Sequence, residues 1–488
     1  MSARTRRDFL ATAGGGLAAS FLLTSSPRAQ RGAPTPPTPR VRKNFISATA
    51  KSDLTSLSKG VEEMRKLAKS KPSDPRGWVL QAFIHGDCTH FTKCQHGNWY
   101  FAPWHRSLIY YFEQLIQYFS NDPNFALPYW DWSRTHSIPA TWYGATNPLD
   151  DILSIRSSCS SAPTAGRGRT AAQSFSQSDL NTYVGPVVIN NIQKNPDFAT
   201  YGGGNPGMGQ LEGLPHNFIH RWVGGTKGSN MVQYFSPLDP IFWMHHCNID
   251  RLYSNWLTRP LHNPPPDSAW KGKSFNDFFD RDGNPAGAAF KAGDTVDSKV
   301  MGYVYDSTAT TSRILTAAPA LTPQVVGTIT ASTPKKQAGV LTFLTDAPPA
   351  TELRTEMNAT ALGASDVVVR LRIEGVKTPP RQNTAVHVFI GPDITATTAT
   401  TAPGYAGSFT FFDGPEGTAG HDHTATHDVL INASDALTRL YGDVSVPQDT
   451  NLAVSLVTRA LYTGVTAFST VEQVQPDRVR LEVVRLGG

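Results

Sequence analysis

The chain has 488 residues, 39% of them hydrophobic and 17% charged, with four cysteines. It is too long for one ordinary core and too poor in cysteine for a disulfide scaffold, so two domains with connecting segments are expected. Most of the formal charge of +5 sits in residues 1–30, where Arg4, Arg6, Arg7 and Arg28 face Asp8, and the remaining charge of about +2 is no footprint for nucleic acid.

Residues 1–30 open with "TRRDFL", continue through a weakly apolar Ala/Gly stretch to Leu23 and end in "SPRAQ". This pattern reads as a twin-arginine signal peptide, which exports folded, cofactor-loaded proteins to a periplasmic or secreted location. The apolar stretch is too short and too glycine-rich for a membrane span. Residues 31–42 follow as a Pro-rich linker around "GAPTPPTPR".

From residue 43 to 261 the chain is rich in Trp, Tyr, Phe and His, with helical patterning. In "SDPRGWVLQAFIHG", Asp74 is expected as N-cap, Pro75 as the first helical residue and Gly86 as the stop after His85. In "CQHGNWYFAPWHR" (94–106), Pro103 starts the next helix, with Leu108, Phe112, Leu115 and Phe119 along its stripe. His105 then lies in the first turns and His96 in the preceding loop. In "PHNFIHRW", Pro215 opens a helix that carries His216 and His220 on one face at i, i+4. In "DPIFWMHHCNIDRLYSNWL", Asp239 caps a helix with Phe242, His246, Ile249 and Tyr253 on one face. Residues 262–310 hold one ordered island ending in "MGYVYD", and 311–350 read as a flexible Thr/Ala/Pro-rich linker. From 351 to 488, period-two runs such as "DVVVRLRIEGV", "TAVHVFIG" and "RVRLEVVRL" predict a β-sandwich.

Two imidazoles one helical turn apart converge on a metal, and imidazole-only ligation suits copper, zinc or iron. "HNFIH" lacks the glutamate of the HExxH zinc pattern, which argues against a zinc hydrolase. Six histidines in two sets of three suit two copper ions better.

"HGNWYFAPWHR", Glu113, "LPYWDW", "LEGLPHNFIHRWVGG" and "DPIFWMHHCNIDR" occur in an order that resembles the tyrosinase and polyphenol oxidase family, which also contains catechol oxidases and molluscan haemocyanins. The resemblance implies an α + β multidomain protein: a mainly helical domain on a four-helix bundle with a binuclear type 3 copper centre, followed by the β domain. It implies His85, His96 and His105 as ligands of the first copper ion, and His216, His220 and His246 as ligands of the second. His85 is preferred to His90 because it ends a capped helix. His246 is preferred to His245 by family spacing to Asp250, and adjacent helical residues point about 100° apart. Cys94 stands where fungal and molluscan relatives form a thioether to the loop histidine, here His96; Cys88 is a poorer match to the plant position.

The implied reaction uses O2 as co-substrate to hydroxylate monophenols at the ortho carbon and to oxidise o-diphenols to o-quinones. The alternatives are an o-diphenol oxidase without hydroxylation and an oxygen-binding protein of the haemocyanin kind. Glu212 and Asn217 match residues that hold a proton-accepting water in hydroxylating relatives, and Arg221 matches an entrance residue that influences substrate choice. Counting back from His246 puts Gln233 at the position of the bulky gate residue of plant enzymes. Tyr303 and Tyr305 resemble the Tyr-x-Tyr that closes the plant catalytic domain. The β domain resembles the lid that keeps plant enzymes latent until a maturation protease removes it. "HDHTATH" (421–427) reads as a hydrated polar tract.

Overall fold

The computed structural model describes residues 38–486, except 89, 145, 152–168, 170–173, 226–228, 288–289, 308–321, 338, 365, 380–382, 413–425 and 462–472. The twin-arginine segment, Cys159 and the first five residues of "HDHTATH" lie outside the described residues.

The helical part is built on α1 (Lys51–Ser70), α2 (Trp78–His85), α3 (Phe101–Ser120), α4 (Asn217–Gly224) and α5 (Ile241–Leu257). Helix α1 packs on α2 and α3, and α3 packs on α5. The stripe of α3 is buried through Leu108, Phe112 and Leu115, and Phe112 stacks on Trp243 of α5 at 3.6 Å. Such aromatic-rich contacts fix helix separation and rotation, which is what a ligand set spread over several helices needs.

Helix starts differ from the sequence reading. Helix α2 begins at Trp78 with Gly77 as N-cap, because Asp74 is engaged by the Arg76 side chain and backbone instead of capping. Helix α3 begins at Phe101, two residues before Pro103, a position where proline's missing N–H costs nothing. Pro215 sits inside a π-helical turn, Glu212–His216, that runs on into α4. The wider turn tolerates proline and places both Glu212 and Asn217 near His216. At α5 the N-cap is Pro240 and not Asp239, whose carboxylate, one residue earlier, still accepts the Ile241 N–H at 2.9 Å.

Residues 40–42, read as the end of a linker, form strand β1 (Arg40–Arg42), paired in parallel with β2 (Tyr303–Tyr305). Arg42 is fully buried, with its guanidinium 3.5 Å from the Tyr303 ring centre. Asp250 accepts from Arg106 and Arg42 and from the hydroxyls of Tyr303 (2.7 Å) and Tyr305 (2.5 Å). Glu113 accepts from Arg40 and Arg42. This charged lattice ties β1 and β2 to α3 and α5 one residue from His105 and one turn from His246.

The C-terminal part is a two-sheet antiparallel sandwich. One sheet has the order β4 (Pro334–Gln337), β5 (Val340–Leu344), β10 (Ala453–Ala460), β7 (Thr384–Ile390), β8 (Tyr405–Thr410); the other runs β3 (Gln324–Ala331), β11 (Arg478–Arg485), β6 (Val367–Lys377), β9 (Thr426–Asn432). Its core is aliphatic, with Leu341, Val388, Val454, Val369, Leu371 and Leu481 fully buried. Strands β3, β4 and β5 correct the reading of 311–350 as a flexible linker. Threonines that suggested a spacer serve as β-formers here, and the apolar partners Ile329, Leu341 and Phe343 face the core.

The sandwich is seated on the helical part. Met208 N–H donates to Asp428 O at 2.8 Å and Leu430 N–H to Met208 O at 2.9 Å, so the segment before α4 pairs with the outer edge of β9. A buried ion pair, Arg370–Asp197 at 2.8 Å, lies nearby. No helix among the described residues is long and apolar enough to cross a membrane.

Candidate metal centre

The folded chain brings the expected histidines together in two clusters. His85 ends α2, His96 comes from the loop and His105 from the first turns of α3; with Cys94, their ligand atoms lie within 4.8 Å of one another. His216 and His220 at the start of α4, and His245 and His246 on α5, form the second cluster by the same measure. The rings of His105 and His246 stack across the two at 4.3 Å. His90 is absent from both clusters and exposed, with Asp87 beside it.

Hydrogen bonds set the tautomers. Nδ1 of His85 faces the Tyr234 carbonyl at 2.6 Å, that of His105 the Phe101 carbonyl at 2.8 Å, and that of His220 the Met231 carbonyl at 2.8 Å. His216 Nδ1 faces Asn217 Oδ1 at 2.8 Å. Each oxygen can only accept, so each Nδ1 carries the proton and each Nε2 presents a lone pair. Burial pushes the pKa of His85 down to about 4 and that of His216 down to about 3. It also drives His96, His105, His220 and His246 well below the usual imidazole range. Neutral imidazole is the form that ligates a metal. Nε2 of His85 and of His216 are buried with no hydrogen-bond partner, a costly state that a bound cation removes. The donor set therefore fits a pair of histidine-ligated metal ions and is compatible with binuclear copper.

His245 and His246 both reach the second cluster, against the expectation that only one of two helical neighbours would. Their surroundings separate them. Trp132 Nε1 donates to His245 Nδ1 at 3.2 Å, which leaves the proton of neutral His245 on Nε2, the atom nearest the cluster. His246 Nε2 lies 3.4 Å from His220 Nε2 with no such donor on its ring.

Cys94 Sγ lies 3.3 Å from His96 Nε2 and 3.2 Å from His105 Nε2. Burial, with Glu212 second, raises its thiol well above the usual range. Cys88 is disulfide-bonded and Cys94 is free, which removes the rival for attachment to His96.

Glu212 and Asn217 line one cavity with His96, Gly97 and Phe412. Gly97 N–H donates to both Glu212 oxygens, at 2.9 and 3.1 Å. Arg221 lies in the last turn of α4 and is 5% exposed. Gln233, also buried, precedes Tyr234.

What the sequence reading missed is the ring that covers the centre. Phe412, just past β8, stacks on His220 at 4.0 Å and 23° and lies within 5.9 Å of His96 and His216. The available signal was an aromatic pair ending "GSFTFFDG", where a solvent-facing turn would ordinarily be polar. His427, read as part of a hydrated tract, lies on β9 and lines the same cavity.

A helical bundle gathers buried neutral imidazoles into two adjoining clusters that could each hold a metal ion, and a β-sandwich caps them. Residues 75–259 match the family model described as the common central domain of tyrosinase. The chain is 30% identical over 301 residues to tyrosinase HcTyr1 of Hahella sp., covering 52% of this chain and 60% of that protein. It is 33% identical over 288 residues to aureusidin synthase of Antirrhinum majus, covering 52% and 49%. The chain thus spans about half to three-fifths of the length of these relatives. A recombinantly expressed latent aurone synthase (polyphenol oxidase) shares the fold with a TM-score of 0.65 at 22% identity, over 93% of this chain and 91% of that one. Residues 75–259 thus form a tyrosinase-type domain, and the chain is similar to tyrosinases and polyphenol oxidases.

Proposed function

We propose that this protein oxidises phenols with O2 at a pair of copper ions, hydroxylating monophenols and converting o-diphenols to o-quinones, and that the sandwich holds it latent. His85, His96 and His105 hold the first ion, and His216, His220 and His246 the second; bound copper supplies the activation of O2. The observation that carries the reading is an aromatic ring, Phe412, stacked on His220 above two facing clusters of neutral imidazole. A planar phenol entering that space meets the same ring-stacking surface and the same clusters.

A phenol has a pKa near 10, so reaction at neutrality requires an acceptor for its proton. Glu212, with Gly97 N–H fixing its carboxylate, and Asn217, orienting His216, flank the cavity and hold a water that takes this proton. Cys94 forms a thioether to His96. The cross-link fixes the one ligand that comes from a loop and removes a thiol that would compete for copper. Arg221, next to His220, influences substrate choice, its cation favouring phenols that carry a carboxylate. The twin-arginine segment delivers the loaded protein outside the cytoplasm.

Copper content and phenol turnover, measured before and after limited proteolysis between the two parts, test the reading. Binding of about two copper ions per chain, with turnover of 4-methylphenol and 4-methylcatechol rising on cleavage, is the expected result. Copper binding without turnover after cleavage, but with reversible O2 uptake, would mean an oxygen carrier. Turnover of the catechol alone would mean an o-diphenol oxidase.

A further inference from the structure

The end of β8 touches the centre in two chemically different ways. The Phe412 ring fills space over His220. Two residues earlier, the Thr410 carbonyl accepts a hydrogen bond from Asn217 Nδ2 at 2.9 Å. The same Nδ2 has Met208 Sδ at 3.5 Å, and Asn217 Oδ1 is taken by His216 Nδ1. A primary amide has two N–H donors and one carbonyl. In the covered state both donors and the acceptor face protein atoms, so Asn217 has no strong donor left for a water shared with Glu212.

This grip does not depend on Phe412. Thr410 Oγ1 donates to Gly213 O at 3.3 Å, inside the turn that carries Glu212. The Met208–β9 backbone pair and the buried Arg370–Asp197 pair also hold the sandwich in this register. Trimming the ring therefore leaves the Thr410 carbonyl where it is.

Resting on the functional reading above, we propose that the lid blocks the two phenol reactions by separate contacts. Phe412 excludes every phenol by occupying the ring site, whereas the Thr410 carbonyl withholds the Asn217 amide and so disables deprotonation of monophenols. An o-diphenol is the more acidic substrate and needs no hydroxylation, so it escapes the second block. A covered chain without the ring is thus selective for o-diphenols.

The test uses intact, copper-loaded chains carrying Phe412→Ala alone or with Arg370→Glu, which sets like charges against Asp197 and unseats the sandwich. The expected result is that F412A oxidises 4-methylcatechol, while its ratio of 4-methylphenol to 4-methylcatechol turnover is about 100-fold or more below that of F412A/R370E, the lower end of the range for a lost general base. Equal ratios, or no catechol turnover by F412A, would overturn the proposal. F412L repeats the comparison with a smaller packing defect. A readout without turnover uses apoprotein labelled with 15N-asparagine, the Asn217 side-chain amide being assigned by its loss in N217D. Its hydrogen exchange should be slow in F412A and at least about tenfold faster in F412A/R370E, and equal exchange also overturns the proposal. If neither variant oxidises either phenol, the functional reading itself falls, and the exchange data still show whether the amide is gripped.

Discussion

The two parts of this chain solve the problem of an interior in opposite ways. The sandwich fills its core with Val, Leu, Ile and Phe, the composition that stabilises a fold with least risk. The helical part buries imidazoles, Asp250, Glu113, Arg42 and Arg106 among its tryptophans. Buried ion pairs are no better for stability than well-packed hydrophobic residues. What they provide here is placement: Asp250 sits one turn after His246, and Arg106 next to His105. The contrast teaches that the polar interior is there to hold something, and the apolar one to hold itself and the cover over the site.

The largest effect expected from breaking this contrast is at the second cluster. Removing both His216 and His220 should cost about half of the bound copper, measured by metal analysis, and lower phenol turnover by more than about 10⁴-fold. If full copper content persists, the ligand assignment fails. Next comes the lattice behind the ligands. Asp250→Asn leaves the buried Arg106 guanidinium without a carboxylate and Arg42 with Glu113 alone, and should lower the free energy of unfolding in urea by about 3–5 kcal/mol. Tyr305→Phe, which removes one hydroxyl from the same carboxylate, should cost only about 1–2 kcal/mol. A smaller and more selective loss is expected at the cavity wall. In chain freed of its cover, Glu212→Gln should lower 4-methylphenol hydroxylation about 100-fold while leaving 4-methylcatechol oxidation within a few-fold; parallel losses would make Glu212 a structural residue.

A last effect, of a size with that of Tyr305→Phe, tests the apolar interior through the imidazole it does contain. Burial, with Arg459 second, pushes His387 down to about 3. Its ring is held neutral against Ser408 at 2.6 Å. The unfolded chain takes up a proton at His387 below about pH 6.5 and the folded chain does not, so the stability from the neutral ring is complete above that pH and drains away as pH falls. Between pH 6.5 and 5 this amounts to about 2 kcal/mol. The slope of unfolding free energy with pH should flatten by that amount in His387→Gln, and an unchanged slope would mean His387 is not shielded.

The two histidine clusters were largely legible because most of their members lie on short helices with strong periodicity, and i, i+4 spacing survives errors of two or three residues in where a helix begins. Asp74, Pro103 and Pro215 misled only about those starts. The relation between His245 and His246 was not legible, since it turns on a hydrogen bond from Trp132, more than a hundred residues away in sequence. Strands β3 to β5 were lost because threonine and proline suit both a spacer and an edge strand, and only the partner strand decides. Phe412 was invisible for a similar reason: its role depends on docking between parts, which carries no local period.

Met208 gives the docking one more meaning. Its two backbone bonds seal the free margin of β9, so the catalytic half lends the sandwich a borrowed strand residue. Once the halves part, that margin has bare N–H and C=O groups and readily pairs with another copy of itself. Were the two parts to separate, that open edge would work against their return to the covered arrangement.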